Sequence, residues 1–197
     1  MLATAEDTCT LSVFPSALGW MAIVRGADGL NMLTFGLSHR QEAVSAILSR
    51  LSVSLRVSAP PRENSPCDDL IGRLQAYADG FPDDFRSVQL DLSGFSTFQR
   101  RVIEQCRKIP YGQTVTYGEL AAKVGSPRAA RAVGNCMAAN PFPLVVPCHR
   151  VVPSSGGVGS YSAPGCAETK RRLLAMESAG QAETRNRRQM LVHAKRR

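Results

Sequence analysis

The stretch TYGELAAKVGSPRAARAVG, residues 116–134, predicts two short helices joined by a tight turn. Thr116, followed three residues later by Glu119, forms a capping box in which each side chain satisfies a backbone N–H at the helix start. Gly125 suits the left-handed end of this helix, and Ser126-Pro127 is typical of the start of the next one. Two short helices joined by a glycine-containing turn form a helix-turn-helix.

The composition of the second helix leaves two interpretations open. It is rich in alanine, contains Gly134, carries Arg128 and Arg131, and must end before Pro141. A helix with so small a face and one inserted arginine suits sequence-tolerant contact with DNA better than base reading in the major groove. Alternatively, the alanine-rich face packs on the protein core and both arginines are solvated, which the segment alone slightly favours.

The segments on either side predict two domains of different character. Residues 1–88 have the patterns of an α/β domain without recognisable catalytic motifs, and residues 91–179 have those of a mostly α domain. The N-terminal strands and helices are predicted over 10–14, 21–25, 30–35, 41–51 and 68–79. In the C-terminal domain, Ser96 is predicted to cap a further helix, and a closing helix is expected over 168–177.

The chain of 197 residues has a formal net charge of +8, which favours an acidic partner such as nucleic acid. Much of the excess lies in residues 180–197, which are predicted to form a basic, flexible tail, so the tail alone indicates little about DNA. No apolar run reaches the roughly 20 residues of a membrane span, and the N-terminus has no secretory pattern. We therefore expect an intracellular protein without a membrane partner.

The six cysteines stand at irregular spacings, at positions 9, 67, 106, 136, 148 and 166. No Cys-x-x-Cys pair occurs, which argues against a zinc ribbon or a dithiol redox site. Cys148 differs from the others because Pro147-Cys148-His149-Arg150 places a base and a positive charge beside a thiol, as an activated nucleophile requires. Neighbours in sequence do not face each other on a regular helix, so contact with His149 needs irregular backbone or a bridging water molecule. The dipeptide alone is equally compatible with a buried, inert cysteine.

An ordered set of motifs over about residues 95–178 resembles the O6-alkylguanine-DNA alkyltransferase family. The matching segments are IPYGQT (109–114), TYGELA (116–121), AARAVG (129–134), NP (140–141), VPCHRVV (146–152) and GSYS (159–162). The resemblance implies an α/β, ribonuclease-H-like fold for residues 1–88. It implies a mostly α, winged-helix-like domain with a helix-turn-helix for residues 91–179.

The resemblance also implies a role for each residue at the reaction centre. Cys148 would accept the alkyl group, and His149 would act as its base through a water molecule. Glu177 would orient and polarise the histidine. Tyr117 would hydrogen-bond guanine N3 and protonate the leaving base, and Asn140 would buttress the site.

Other positions are implied to contact the DNA or the extruded base. Arg131 would fill the base stack after the nucleotide is flipped out. Further DNA contacts would come from Arg128, Ala130 and Thr116. The residues implied to line the base pocket are Val151, Tyr161, Ser162 and Met137. The backbone N–H of Ser162 would meet guanine O6, and the Val151 and Cys148 carbonyls would accept from the exocyclic amine.

The implied reaction consumes the protein, because the thiolate becomes a thioether with no easy route back. We expect one turnover per molecule, no cofactor, and a monomer acting on double-stranded DNA that contains O6-alkylguanine. Some members of the family bind zinc through the N-terminal domain, but the spacing of Cys9, His39 and Cys67 does not match, so no metal is expected. The loop over 163–166 is slightly longer than is usual in the family, which leaves tolerance for bulky alkyl groups open.

Three other functions are weighed against this one. A non-enzymatic lesion-binding protein that recruits repair factors would lack the acceptor, whereas Cys148 is present. An alkylation-sensing transcription regulator would need a second DNA-binding motif or a cysteine cluster in residues 1–90. A thiol hydrolase would need a distant histidine, and both His39 and His193 stand in unremarkable surroundings.

Overall fold

The computed structural model describes residues 8–50, 56–58, 68–159, 161 and 163–194. Its N-terminal part is a sheet built from β1 (Thr8–Phe14), β2 (Trp20–Gly26), β3 (Gly29–Leu37) and β4 (Arg56–Ser58). The strand order is β3-β2-β1-β4, with antiparallel pairing among the first three strands and β4 parallel to β1. The three predicted strands are confirmed, whereas β4 had no counterpart in the prediction.

Strand β2 lies in the middle of the sheet and is covered on both faces. Residues 21–24 are all fully buried, so the strand has a continuous apolar run rather than an alternating pattern. Met21 and Ile23 face the large core. Ala22 and Val24 face a smaller cluster that includes Ile47 of helix α1 (Arg40–Leu48).

The chain becomes mostly helical after the sheet. The helices are α2 (Asp68–Ala78), α3 (Thr97–Cys106), α4 (Tyr117–Lys123), α5 (Ala130–Ala138) and α6 (Cys166–Ala194). Two short strands, β5 (Val115–Thr116) and β6 (Val151–Val152), pair in parallel. A strand-rich N-terminal part followed by a mostly helical C-terminal part agrees with the fold class predicted from the sequence. None of the helices within the described residues is both long enough and apolar enough to cross a membrane.

Helix ends in the C-terminal part follow the local signals closely. The predicted capping box at α4 is confirmed, because Glu119 N donates to Thr116 Oγ1 over 3.1 Å and Thr116 N donates to Glu119 Oε2 over 2.6 Å. Ser96 caps α3 through a second capping box. At the end of α4, Gly125 has a φ of 76°, and the N–H groups of residues 125 and 126 bond back to Ala122 and Ala121. This pair of bonds is a Schellman motif.

Two predicted boundaries in the C-terminal part are corrected. Helix α5 begins at Ala130 rather than directly after Ser126-Pro127, because residues 126–129 form a separate turn closed by a 2.8 Å bond from Ala129 N to Ser126 O. The segment expected to be a flexible tail from residue 180 is helical as far as Ala194. That segment has no proline and many good helix formers, so the closing helix continues through Gly180.

The two predicted domains share one hydrophobic core. A single buried cluster includes Phe35 and Leu74 from the N-terminal part and Val102, Val133 and Val146 from the C-terminal part. The backbone also joins them, since Leu33 N donates to Pro141 O over 2.8 Å. The residues before the 3₁₀ turn at Cys148–Arg150 are therefore held directly against β3.

Candidate active site

The segment around Cys148 has the irregular backbone that a reactive Cys–His pair requires. Pro147 has a φ of −78° and a ψ of 64°, and it precedes a single 3₁₀ turn over Cys148–Arg150. The turn is closed by Cys148 N donating to Val146 O over 2.8 Å and by Arg150 N donating to Pro147 O over 2.9 Å. The cysteine, histidine and arginine side chains are all buried. A short 3₁₀ turn thus sends three consecutive polar side chains into the protein interior.

Asn140 holds the sulfur of Cys148. Its Nδ2 donates to Cys148 Sγ over 3.1 Å and to Val146 O over 2.9 Å, while its Oδ1 accepts from Phe142 N over 3.0 Å. The buried Tyr161 hydroxyl approaches the same sulfur without a hydrogen bond of acceptable geometry. Burial raises the pKa of the Cys148 thiol, and the nearby donors oppose this rise without reversing it. The resting sulfur is therefore a thiol that needs a base.

Glu177 of α6 is the centre of a buried polar cluster. Its Oε1 accepts from Tyr77 Oη over 2.5 Å, from His149 Nε2 over 2.9 Å and from Arg150 Nη2 over 2.7 Å. Its Oε2 accepts from Gly112 N and from Arg150 Nε, each over 2.9 Å. Burial alone would raise the pKa of this carboxyl, but the contacts with His149 and Arg150 outweigh it and bring the pKa far below its usual range. Glu177 is thus a fixed buried anion.

The hydrogen bond to Glu177 assigns the tautomer of His149. A carboxylate only accepts, so Nε2 carries the hydrogen and Nδ1 has a free lone pair. Nδ1 is buried and has no hydrogen-bond partner among the described residues. Burial lowers the pKa of His149 despite the opposing influence of Glu177. The ring is therefore neutral near pH 7, with one unsatisfied nitrogen available to receive a proton.

Tyr117 and Lys170 lie close to each other in the site. Tyr117 is the first residue of α4, and burial raises the pKa of its half-buried hydroxyl. The Nζ of the fully buried Lys170 donates to Val151 O over 2.7 Å and lies 5.8 Å from the Tyr117 ring centroid. The Val151 carbonyl, which is predicted to accept from the base, therefore already accepts one hydrogen bond from Lys170.

Cys148 lies on a small, partly open cleft that contains about 320 Å³ of empty space when the open solvent at its mouth is included. Its lining residues are Thr34, Phe35, Arg50, Asn140, Pro143, Cys148, Tyr161, Ala163 and Pro164. Of the residues predicted to line the base pocket, Tyr161 lies on this cleft, whereas Val151 and Met137 are buried outside its lining. Ser162 lies outside the described residues. Thr34 and Phe35 of β3 also line the cleft, which was not predicted from the sequence.

The residues predicted to contact DNA lie on or beside α4 and α5. Arg128 and Arg131 are exposed, and no side-chain hydrogen bond or ion pair joins either to another residue in the described part of the chain. Ala130 is half-buried at the start of α5, and Thr116 caps α4. Helix α5 packs on the core through Val133 and Met137 rather than through its alanines. Arg131 of this helix and Arg128 of the preceding turn are thus both exposed to solvent.

Tyr77 of the buried cluster and the buried Lys170 beside Tyr117 were not predicted from the sequence. Tyr77 lies on α2, in the part of the chain where no catalytic motif was recognised, and Lys170 lies inside a predicted helix as one charge among several. No local sequence pattern predicts the hydrogen bonds of Tyr77 and Lys170, because their partners are far away in sequence. The apolar surroundings of Tyr77 on its helix were the available hint.

The chain is similar to several known proteins. Residues 97–179 match the family model of the 6-O-methylguanine DNA methyltransferase DNA binding domain. A methylated-DNA–protein-cysteine methyltransferase of Mus musculus is 50% identical over 183 residues, which cover 87% of this chain and 83% of that protein. The enzyme of the same name from Methanothermobacter thermautotrophicus is 44% identical over 109 residues, or 55% of this chain. The crystal structure of Mycobacterium tuberculosis OGT in complex with DNA has a TM-score of 0.63 at 31% identity, covering 87% of this chain and 94% of that one.

The chain belongs to the methylated-DNA–protein-cysteine methyltransferase family. The match covers 59% and 62% of the length of two of the curated relatives, from Methanothermobacter thermautotrophicus and Mycolicibacterium paratuberculosis. The residues of the buried cluster fall inside the segment that matches the family model, with the exception of Tyr77.

Proposed function

We propose that this protein repairs DNA by transferring an alkyl group, such as methyl, from O6-alkylguanine in duplex DNA to Cys148. The transfer is irreversible and each molecule acts once. The observation that carries the proposal is a buried thiol, held by Asn140 over 3.1 Å, beside a neutral His149 whose other nitrogen is fixed by Glu177 over 2.9 Å. A nucleophile, a base and a group that orients the base are the parts that covalent catalysis requires.

The proton of Cys148 leaves through His149 in this proposal. Because Nδ1 is a buried acceptor in a polar setting, a water molecule bridging it to Sγ would satisfy both groups. Proton transfer would create a thiolate and an imidazolium. The fixed negative charge of Glu177 stabilises the imidazolium, and Asn140 and the Lys170 cation stabilise the thiolate.

The thiolate then attacks the alkyl carbon in line with the C–O bond. The new S–C bond forms as the O6–C bond breaks, and the electron pair passes to the guanine ring. Tyr117 protonates N3 as negative charge develops on the base, which is general-acid catalysis, typically contributing ~10²–10⁴-fold. His149 then releases its proton and Tyr117 regains one through solvent, so that in net balance the thiol loses one proton and guanine gains one, and no cofactor takes part.

The target carbon lies inside the duplex, so the nucleotide must be extruded before reaction. We propose that α4, the turn and α5 act as a helix-turn-helix within a winged-helix-like domain over 91–179, next to a ribonuclease-H-like domain over 1–88. Arg131 would enter the stack in place of the flipped base, and Arg128, Ala130 and Thr116 would contact the backbone. Leu30 N donates to Gln89 O and Asp91 N donates to Leu30 O, each over 2.9 Å, so the chain near the proposed junction is bonded to β3.

We further propose that the protein acts as a monomer on double-stranded DNA, since one chain holds the whole set of reacting groups. Tyr161, Ser162, Val151 and Met137 remain the proposed surroundings of the base. Ala163 and Pro164 line the cleft, which supports the proposal that this loop limits the size of alkyl group that is accepted.

The experiment that tests the proposal is intact-protein mass spectrometry after incubation with duplex DNA containing O6-methylguanine. The wild-type protein should gain one methyl group, saturating at one per molecule and mapping to Cys148. Cys148→Ala should gain none, whereas Cys136→Ala, which removes a half-buried thiol of α5, should react like the wild type. Tight lesion binding without a mass gain would instead favour a non-enzymatic lesion-binding protein.

A further inference from the structure

Tyr77 brings helix α2 of the N-terminal part into contact with the reacting groups. Its hydroxyl lies 2.5 Å from Glu177 Oε1 and 3.3 Å from His149 Nε2. The side chain is completely buried. Its ring is fixed between Phe85, at a centroid distance of 5.5 Å, and Tyr111, at 5.9 Å and nearly perpendicular. The hydroxyl is therefore held rigidly at the Glu177–His149 pair.

The direction of each hydrogen bond follows from the chemistry of the three groups. Glu177 is an anion and only accepts, so Tyr77 donates its hydrogen to Oε1. The hydroxyl oxygen then presents its lone pairs towards the Nε2–H of His149. Burial and the negative charge of Glu177 raise the pKa of Tyr77 well above its ordinary value, so this donor keeps its proton throughout the working range of pH.

This arrangement accepts only one tautomer of the neutral histidine. With hydrogen on Nε2, both Glu177 Oε1 and Tyr77 Oη can accept a hydrogen bond from it. With hydrogen on Nδ1, the lone pair of Nε2 would face a carboxylate and a hydroxyl that is already committed as a donor. The tyrosine thus adds to the preference that leaves Nδ1 free to take the proton of Cys148.

We propose that Tyr77 is a positioning residue for alkyl transfer, which holds His149 in the orientation and tautomer of a base. The inference rests on the proposed function, because its first test measures methyl transfer from duplex DNA. Through Tyr77, the N-terminal part of the chain would act directly in the reaction as well as contributing to the hydrophobic core.

The test compares Tyr77→Phe with Tyr111→Phe in the full-length chain. Both variants keep an aromatic ring in the same cluster and lose one hydroxyl. The Tyr111 hydroxyl donates to Gly80 O over 3.1 Å rather than to Glu177 or His149, so the second variant controls for a loss of packing or of a structural hydrogen bond. Single-turnover methyl transfer from duplex DNA is measured between about pH 5 and 9, together with lesion binding and thermal unfolding.

Tyr77→Phe should lower the transfer rate about tenfold, as expected for the loss of one hydrogen bond to a charged group. It should also move the midpoint of the acid limb of the pH profile, with lesion affinity unchanged. Tyr111→Phe should keep the wild-type rate and midpoint even if it unfolds at a lower temperature. Equal slowing of both variants in proportion to their loss of stability, or a Tyr77→Phe profile identical to the wild type, would overturn the proposal.

A second readout separates this inference from the proposed function. Alkylation of Cys148 by iodoacetamide requires no DNA, and its pH dependence reports the coupling between the thiol and His149. If the wild type transfers no methyl group from DNA, the proposed function fails. A Tyr77→Phe shift in the iodoacetamide profile would still support the positioning role, and an unchanged profile would refute it.

Discussion

The buried cluster around Glu177 and the exposed start of α5 use charge in opposite ways. In the cluster, the carboxylate accepts from Tyr77, His149, Arg150 and the backbone of Gly112, and every partner is buried or half-buried. At the start of α5, the charges are cationic, exposed and without ion pairs in the described residues. The same chain therefore keeps one set of charges satisfied internally and another available to an external anion.

The difference teaches which kind of change each region tolerates. Removing one partner from a buried ion pair leaves an uncompensated charge, so the cost falls on folding. Removing an exposed cation leaves folding nearly unchanged and acts on binding. Substitutions in the two regions should therefore give separable losses of stability and of DNA reaction.

The largest expected effect is that of Glu177→Gln on stability. Arg150 would lose its buried counter-ion, so the free energy of unfolding should fall by about 3–5 kcal/mol. Denaturant unfolding measures the change. Glu168→Gln is the matched control on the same helix, because Glu168 is exposed and, among the described residues, pairs with Arg171 alone, a contact expected to contribute roughly 0–1 kcal/mol. Equal stability of the two variants would contradict a buried ionic cluster.

Arg131→Ala should give the next largest effect, on reaction with duplex DNA. If Arg131 offsets the few kcal/mol needed to extrude a nucleotide, transfer should slow by about 10- to 100-fold. Unfolding should change by less than about 0.5 kcal/mol, and reaction with a free O6-alkylguanine base should not change. Arg101→Ala, at an exposed position of α3, should react normally. Equal slowing on the free base would place the defect in the reaction centre instead.

The pH dependence of transfer should show a smaller effect with a definite sign. His149 acts as a base only when neutral, and burial lowers its pKa below the ordinary 6.5. The midpoint of the fall in rate with decreasing pH should therefore lie below pH 6.5, so that more than half of the plateau rate remains at pH 6.5. Single-turnover rates across a pH series provide the measurement. A midpoint above 6.5 would mean that Glu177 dominates over burial.

The smallest expected effect is that of Arg128→Ala on the salt dependence of DNA binding. One lost phosphate contact should reduce the slope of log K against log salt by about 1, with little dependence on base sequence. Titrations of unmodified duplexes at several salt concentrations measure the slope. An unchanged slope would remove Arg128 from the DNA interface.

Much of the fold followed from local signals. The strands over 8–14, 20–26 and 29–37 and both capping boxes were predictable, because each depends on residues within a few positions of one another. The start of α5 was wrong because Ser126-Pro127 initiates a turn that closes on Ala129 before the helix begins. The continuation of α6 was missed because a dense run of positive charge suggested a solvated tail, whereas backbone propensity favoured a helix.

By itself, the sequence determined the two-part fold class and the thiol with an adjacent base, because these features depend on residues that are close together in the chain. Through resemblance to a family, it also suggested Glu177 and Asn140. Only the tertiary structure decided that Arg150 ion-pairs with Glu177, that Lys170 lies over Tyr117, and that Tyr77 reaches across 100 positions to the carboxylate. The physical reason is that a buried polar group is defined by partners distant in the chain, which leave no period or spacing in the local sequence.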